Sequence, residues 1–343
     1  MFDARPTGVA RYIRRLIEAL EHLPNAPKLR YFARPGRTRL VRDMAPPLGD
    51  RRIERLLWPL GLDVFHAPDV RVPYVNRAPV VVTIHDLSAI ERTDHATTRF
   101  LLRKQSAYRH AARVAARLIT HTETVRRDIS TRLGFTLDRI DAIPLAAGLE
   151  FDASSASPAV ALRPLPGELL TIGGPSRRKD SAILGDLLRR WRLVHGWRPN
   201  VTWVGSGAAD ELAAVLERVD NEDRGRIHSR GHVSDTQLVE LFAATDGLLS
   251  LSTTEGFGLP LVEAAQRGVP VLARESPILR EVLGDGAFWL ESGSPNAGDV
   301  IREFLRADAR ERVVAAALQR VRGYSWHETA RRTLVVYERA CAD

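Results

Sequence analysis

The stretch GLLSLSTTEGFGLPLVEAAQRGVPVLA, residues 247–273, carries the reading of the fold. It opens on an apolar run of strand length, Gly247–Leu251. A glycine-bearing turn follows, Glu255-Gly256-Phe257-Gly258, and then Pro260, which suits the first turn of a helix because its missing N–H costs nothing there. A second β-rich run, Pro270–Ala273, closes the unit. Strand, crossover helix and strand make the building block of a parallel α/β sheet.

The same alternation extends both ways. Downstream come a helix from Pro277 and an amphipathic helix over Trp326–Arg339. Upstream, strands Leu169–Ile172, Val201–Val204 and Ile227–Ser229 alternate with helices from Ser181, Asp210 and Asp235. In the first half, strands are expected at Leu29–Ala33, Asp63–His66, Pro79–Ile84, Arg117–Thr120 and Ile140–Pro144. Amphipathic helices are expected over 9–20, 97–115 and 123–133, the first with Val9, Ile13, Leu16, Ile17 and Leu20 on one face. Residues 151–166, FDASSASPAVALRPLP, lack periodicity and read as a linker. The expectation is an α/β protein of two doubly wound domains, residues 1–163 and 164–325, with a closing helix over 326–343. Only Met1–Arg5 precede Pro6-Thr7-Gly8, a minimal opening strand for such a domain.

Composition removes several classes. With 343 residues, 44% hydrophobic and 27% charged, the chain is an ordinary two-domain globular protein, neither disordered nor collagen-like. One cysteine, Cys341, rules out an internal disulfide and a zinc cluster, and points to a reducing cytoplasm. Charges at Asp3, Arg5, Arg11, Arg14, Arg15 and Glu18 interrupt any signal-peptide core. Apolar runs such as Val80–Ile84 fall far short of the roughly 20 residues of a membrane span. Net charge is +8, and residues 1–163 hold 27 basic against 17 acidic residues. That half suits an anionic partner such as a membrane face; codon bias is the rival explanation, because only residues 28, 104 and 179 are lysine.

The chemistry concentrates at the quoted turn. Amides of Phe257, Gly258 and Leu259 at a positive helix end form a ready phosphate site. Glu255 in the turn and Glu263 in the helix cannot bind phosphate themselves, so they suit hydroxyls. A helix start with a favourable acid would explain one glutamate, but neither the pairing nor the Gly-x-Gly turn. Arg177-Arg178-Lys179 follows Leu169–Ile172 at the carboxyl edge, where ligands bind in such sheets. His85 ends the Val80–Ile84 strand and is expected to point into the cleft. The Gly205-Ser206-Gly207 turn imitates a dinucleotide fingerprint, but Asp210 stands at its third glycine and it follows a second strand, which argues against an oxidoreductase. No Asp-x-Asp metal-chelating pair occurs. No motif with interleaved aromatics supports nucleic-acid binding.

Glu-x7-Glu in the context EGFGLPLVEA resembles the signature of the retaining glycosyltransferases of family 4, the group 1 glycosyltransferases, mannosyltransferase-like, with the two-domain GT-B fold. Thr7-Gly8-Val9-Ala10-Arg11-Tyr12, Val64–Pro68, Val82–Leu87, Gly173–Asp180, Gly231–Asp235 and Tyr324-Ser325-Trp326 are similar to further family motifs. Asp180 stands at a commoner Asn or Gly, and His121-Thr122-Glu123 replaces a commoner Ser-Glu pair. The resemblance implies two Rossmann-like domains facing a cleft and a C-terminal helix crossing back to the first. It implies that Arg178 and Lys179 hold the donor's diphosphate, Glu255 the transferred sugar and Glu263 the ribose. Gly8, Gly174, Gly231, Gly256, Phe257, Gly258 and Leu259 complete the donor site, and His85 contacts the sugar near its reacting carbon. The implied activity is metal-independent transfer from a nucleotide sugar, GDP-mannose or next a UDP-sugar, to a glycan or lipid-linked acceptor in polysaccharide biosynthesis. No cofactor is implied beyond the donor as substrate. The implied place is the cytoplasm, peripheral to the inner membrane face. The alternative is a nucleotide-sugar-binding protein that has lost catalysis.

Overall fold

The computed structural model describes residues 8–32, 53–54, 61–73, 78–87, 90, 98–149, 165–173, 183–205, 209–291 and 297–342. They form two compact units, Met1–Gly148 with Tyr324–Asp343, and Leu149–Gly323. Within the expected linker 151–166 and around 163/164, all but Leu165 and Pro166 lie outside the described residues, as do Met1–Arg5.

The N-terminal unit begins with α1 (Gly8–Glu21) and a small parallel pair, β1 (Tyr31–Phe32) with β2 (Ile53–Glu54). Its main sheet is β3 (Phe65–Ala67), β4 (Val80–Thr83), β5 (Arg117–Thr120) and β6 (Ile140–Ala142), parallel and in chain order. Between them run α2 (Thr98–Val114) and α3 (Glu123–Leu133). All four residues of β4 are buried, as are all four of β5, the pattern of strands covered on both faces. Thr122 caps α3 by accepting from the Val125 amide, and Gly134 ends it in the left-handed region at φ 68°. Of the expected strand Leu29–Ala33, Tyr31–Phe32 is strand and Ala33 lies outside the described residues; the pair sits outside the main sheet, with a partner that has no clear sequence signal.

The C-terminal unit runs β7 (Glu168–Ile172), α4 (Leu184–His195), β8 (Asn200–Val204), α5 (Ala209–Glu217), α6 (Asn221–Arg224), β9 (Ile227–Gly231), α7 (Asp235–Ala244) and β10 (Gly247–Ser250). It continues with α8 (Leu259–Gln266), β11 (Val271–Arg274), α9 (Pro277–Leu283), β12 (Phe288–Leu290), α10 (Ala297–Leu305) and α11 (Ala307–Val321). Its six parallel strands lie in the order β12-β11-β10-β7-β8-β9. An aromatic core forms between sheet and helices: Trp191 and Trp197 have ring centroids 5.1 Å apart, Trp197 and Phe304 5.7 Å, Phe288 and Phe304 5.3 Å. The Asp246 carboxylate accepts from the amides of Gly167 (2.8 Å) and Glu168 (2.9 Å), pinning the start of β7 beside β10.

The last helix, α12 (Trp326–Ala342), belongs to the N-terminal unit, where it packs on α1, β4 and β5. The Trp326 indole donates to the Ala147 carbonyl (2.7 Å), Thr329 to Pro144 (2.8 Å) and Arg332 to Ala142 (2.7 Å).

Candidate active site

Strand order places the candidate site of the C-terminal unit. From β7 the sheet grows one way through β8 and β9 and the other way through β10, β11 and β12, so the switch point lies between β7 and β10. Ligands of open α/β sheets bind at the carboxyl ends beside such a point. The turn after β10 is the glutamate-bearing stretch. The loop after β7 is the basic one, whose root, Gly173, is described; Gly174, Arg178 and Lys179 lie outside the described residues.

Glycines with positive φ let the chain leave this edge sharply. Gly173 (φ 104°), Gly205 (φ 132°) and Gly231 (φ 60°) end or follow β7, β8 and β9. The Gly173 amide donates to the Val204 carbonyl (2.8 Å) and that of Gly205 to the Gly231 carbonyl (2.7 Å), carrying the ladder past the strands. The Trp203 indole donates to the Gly173 carbonyl at 2.6 Å.

Gly258 caps α8 in the left-handed region (φ 85°), and a Cβ there would stand 2.6 Å from Leu279 Cδ2. Its carbonyl accepts from the amides of Leu261 (2.9 Å) and Val262 (3.3 Å), so the helix N-terminus opens at the switch point. Glu263 is buried on α8, whereas Glu255, Gly256 and Leu259 are partly exposed. The Phe257 side chain is buried, so any part it takes in holding a ligand falls to its backbone.

The N-terminal unit carries a histidine cluster on the carboxyl edge of its sheet. His85 follows β4, and both its ring nitrogens face protein atoms: Nε2 lies 2.9 Å from the Pro68 carbonyl oxygen and Nδ1 2.8 Å from His121 Nε2. His121, which follows β5, has Nδ1 3.2 Å from the Ile143 carbonyl oxygen. His66 of β3 lies 2.8 Å from Thr83 Oγ1 and 2.7 Å from the Tyr337 hydroxyl. The Tyr12 hydroxyl of α1 stands 3.0 Å from Thr83 Oγ1, and its ring meets His85 edge-on with centroids 4.9 Å apart.

Burial sets the electrostatics. Desolvation and then His85 push His66 down to about 3. Desolvation also lowers His85, against the Pro68 carbonyl, Asp69 and Asp86, and holds His121 well below its usual range. Burial raises the Tyr12 and Tyr337 hydroxyls. All three imidazoles are therefore neutral near pH 7.

Gly8 opens α1 with nothing within 4 Å of where a Cβ would stand, so packing does not explain the glycine. Arg11, Arg14 and Arg15 are only partly exposed, and Arg15 donates to the Gly148 carbonyl (3.0 Å), so this face is not the free basic surface that periodicity suggests. On α2, Arg109, His110 and Arg113 are exposed beside Leu102 and Ser106. Among the described residues, no group of three or more His, Cys, Asp and Glu could hold a metal ion, and no helix is long and apolar enough to cross a membrane.

Residues 204–320, from the end of β8 through most of α11, match the family model "Glycosyl transferases group 1". The chain is 28% identical over 305 residues to O-antigen chain mannosyltransferase B of Escherichia coli, covering 80% of this chain and 74% of that one. It is 26% identical to the phosphatidyl-myo-inositol mannosyltransferase of Mycobacterium tuberculosis, covering 98% and 94%. Among solved structures, HepE of Anabaena in complex with UDP and glucose superposes with a TM-score of 0.70 over 98% of both chains at 16% identity. The fold is GT-B, and the stretch from the end of β8 through most of α11 is similar to the group 1 glycosyltransferases.

The structure brings Glu255, Gly256, Phe257, Gly258, Leu259 and Glu263 to the switch point, with Gly231 at the end of β9 on the same sheet edge. His85 belongs to the N-terminal unit. Sequence reading passes over His66, Thr83, His121 and Tyr337. The sequence signals were the motifs Val64–Pro68 and Val82–Leu87, which hold His66 and Thr83, and His121-Thr122-Glu123, which replaces a commoner Ser-Glu pair.

Proposed function

We propose that the protein is a retaining transferase that moves a hexose from a nucleotide-sugar donor to a glycan or lipid-linked acceptor without a metal ion. The observation that carries this reading is the Glu255–Glu263 turn and helix beside the basic-loop root Gly173, on the two sides of the switch point. The mannosyltransferase names of the relatives favour mannose, with GDP-mannose the first donor to test. The UDP held by HepE keeps a UDP-sugar next.

Departure of the nucleoside diphosphate builds negative charge on its β-phosphate. Arg178, Lys179 and the α8 N-terminus supply fixed positive groups for that charge, the role a divalent cation plays elsewhere. Glu255 accepts hydrogen bonds from the sugar hydroxyls and Glu263 from the ribose hydroxyls. Gly8 and Gly174 let backbone approach the phosphates, and His85 meets the sugar. Because both ring nitrogens of His85 already face protein atoms, its contact is made by the ring's open side. The acceptor is reached at a membrane face through the exposed cations of α2.

Thermal stability in the presence of a panel of nucleotide sugars tests the reading, since a ligand that binds the native state raises the melting temperature with its affinity. GDP-mannose should give the largest rise. No shift with any nucleotide sugar would overturn the assignment.

A further inference from the structure

The two cations assigned to the leaving diphosphate follow closely on Gly173 in the chain, in the stretch Gly174-Pro175-Ser176-Arg177-Arg178-Lys179. Both backbone polar groups of Gly173 are held by β8. Its amide donates to the Val204 carbonyl (2.8 Å), and its carbonyl accepts from the Trp203 indole (2.6 Å). The first contact only extends the ladder between β7 and β8. The second comes from a side chain, and it holds the peptide group that leads into the basic stretch.

That peptide group needs a holder. Turning its plane changes ψ of Gly173 and φ of Gly174, and with glycine on both sides little steric hindrance resists the turn. Trp203 is itself well fixed. It is 2% exposed, stands in register with Thr171, and shares a core with Trp191, Trp197 and Phe304. On the other flank of β7 the Thr171 hydroxyl donates to the Leu249 carbonyl of β10 (3.0 Å), one step beyond the last register pair, Leu170 with Leu248. The strand is therefore anchored on both sides where the switch point opens, and Trp203 carries the anchoring on to the loop. Burial alone does not bring an indole such a partner, since the Trp191 nitrogen in the same core is buried without one among the described residues.

We propose that Trp203 is a positioning residue: by holding the Gly173 carbonyl it sets the direction in which the basic loop leaves the sheet, and so the place of Arg178 and Lys179 at the diphosphate. This rests on the reading of those two residues as the diphosphate's cations. Trp203 is buried in the core and acts through the loop, not on the ligand.

Calorimetric titration of the full chain with GDP against GMP, and with UDP against UMP, reads the contact with the second phosphate. The diphosphate is expected to bind the unaltered protein more tightly than its monophosphate. Trp203→Phe keeps a ring in the core and removes the N–H. It should cut that preference roughly tenfold, the worth of one hydrogen bond to a charged group, and leave monophosphate affinity nearly unchanged. Lys179→Ala should cut the preference too. The double variant should lose much less than the product of the two single losses, because both act through one loop.

An unchanged preference in Trp203→Phe, or losses that multiply in the double variant, overturns the proposal. A side chain that only fills the core would lower the melting temperature and leave the preference as it was. If Trp203→Phe does not fold, benzothienylalanine at position 203 decides, since it keeps the shape of the indole with sulfur in place of the N–H. No diphosphate preference in the unaltered protein, or one untouched by Lys179→Ala, fails the reading of the basic loop and this proposal with it. A preference lost in Lys179→Ala and kept in Trp203→Phe sinks only the role of Trp203.

Discussion

Tyr337 and His66, 271 residues apart in the chain, meet at 2.7 Å between the phenol oxygen and His66 Nδ1. Through His66 Nε2 and Thr83 Oγ1 the line continues to the Tyr12 hydroxyl, so α12, β3, β4 and α1 share one buried polar chain. Each group in it has a partner, and removing one strands the next. Tyr337→Phe leaves His66 Nδ1 unmatched in a buried place, a change expected to cost about 1–3 kcal/mol of stability. Chemical denaturation of the variant beside the unaltered protein checks this, and an unchanged midpoint would falsify the account.

The neutral histidines make the protein sensitive to acid. His66 titrates at about 3 in the native state and near 6.5 when unfolded. Between those values the unfolded chain binds the extra proton, so stability falls as pH drops below 6.5 and is level in this respect above it. The slope is at most ~1.4 kcal/mol per pH unit for each such histidine, and His85 and His121, shifted in the same direction, steepen it. Unfolding midpoints between pH 7.5 and 5 should show the loss, largely before carboxylates titrate. A protein equally stable at both ends would contradict the buried neutral cluster.

How much of this was readable beforehand depended on the range of the interaction. Arg117–Thr120 forms a strand over the residues expected, because a four-residue apolar run between two helical stretches leaves little choice. Phe288–Leu290 was missed, since three residues are too few to show a period. The switch-point turn was legible because its glycines, proline and glutamates are neighbours in sequence. The histidine cluster was not: His66, His85 and His121 lie at the ends of three strands, and only the parallel order β3-β4-β5 brings them together. The arginines of α1 are less open than the helical period suggests, since Arg11, Arg14 and Arg15 are only partly exposed and no local pattern reports it.

Two substitutions address the donor site. On the proposed reading, Lys179→Ala removes a cation from the leaving diphosphate, and Glu255→Ala removes an acceptor for the sugar hydroxyls. Transfer should fall by roughly 100-fold or more in each, as for loss of other preorganised groups. Glu255 is partly exposed in its turn, so its truncation should leave the melting temperature nearly unchanged. Turnover and melting temperature are measured together, and normal turnover in either variant removes that residue from the site.

Metal dependence gives a separate check on the leaving-group account. If Arg178, Lys179 and the α8 N-terminus meet the diphosphate as proposed, activity should persist in excess EDTA. If chelation stops the reaction and magnesium restores it, the cation supplies the charge stabilisation and the two basic residues do not suffice.

The basic N-terminal half makes its prediction through α2. Residues 102, 106, 109 and 113 recur at helical spacing, and Leu102, Ser106, Arg109 and Arg113 are all exposed, with His110 beside them. Each cation near an anionic bilayer contributes on the order of 1 kcal/mol, and the attraction fades within a Debye length of roughly 8 Å at physiological salt. The protein should therefore co-sediment with phosphatidylserine-containing vesicles, release them as salt rises, and ignore neutral ones. Arg109→Glu with Arg113→Glu should weaken that binding while donor hydrolysis continues. Arg190→Glu, an exposed arginine on α4 of the other unit, should change neither. Arg11 and Arg14 of α1 are the wrong residues for this test, because both are partly buried and have other interactions. Equal binding to neutral and anionic vesicles, or none to either, would leave codon bias as the explanation of the charge.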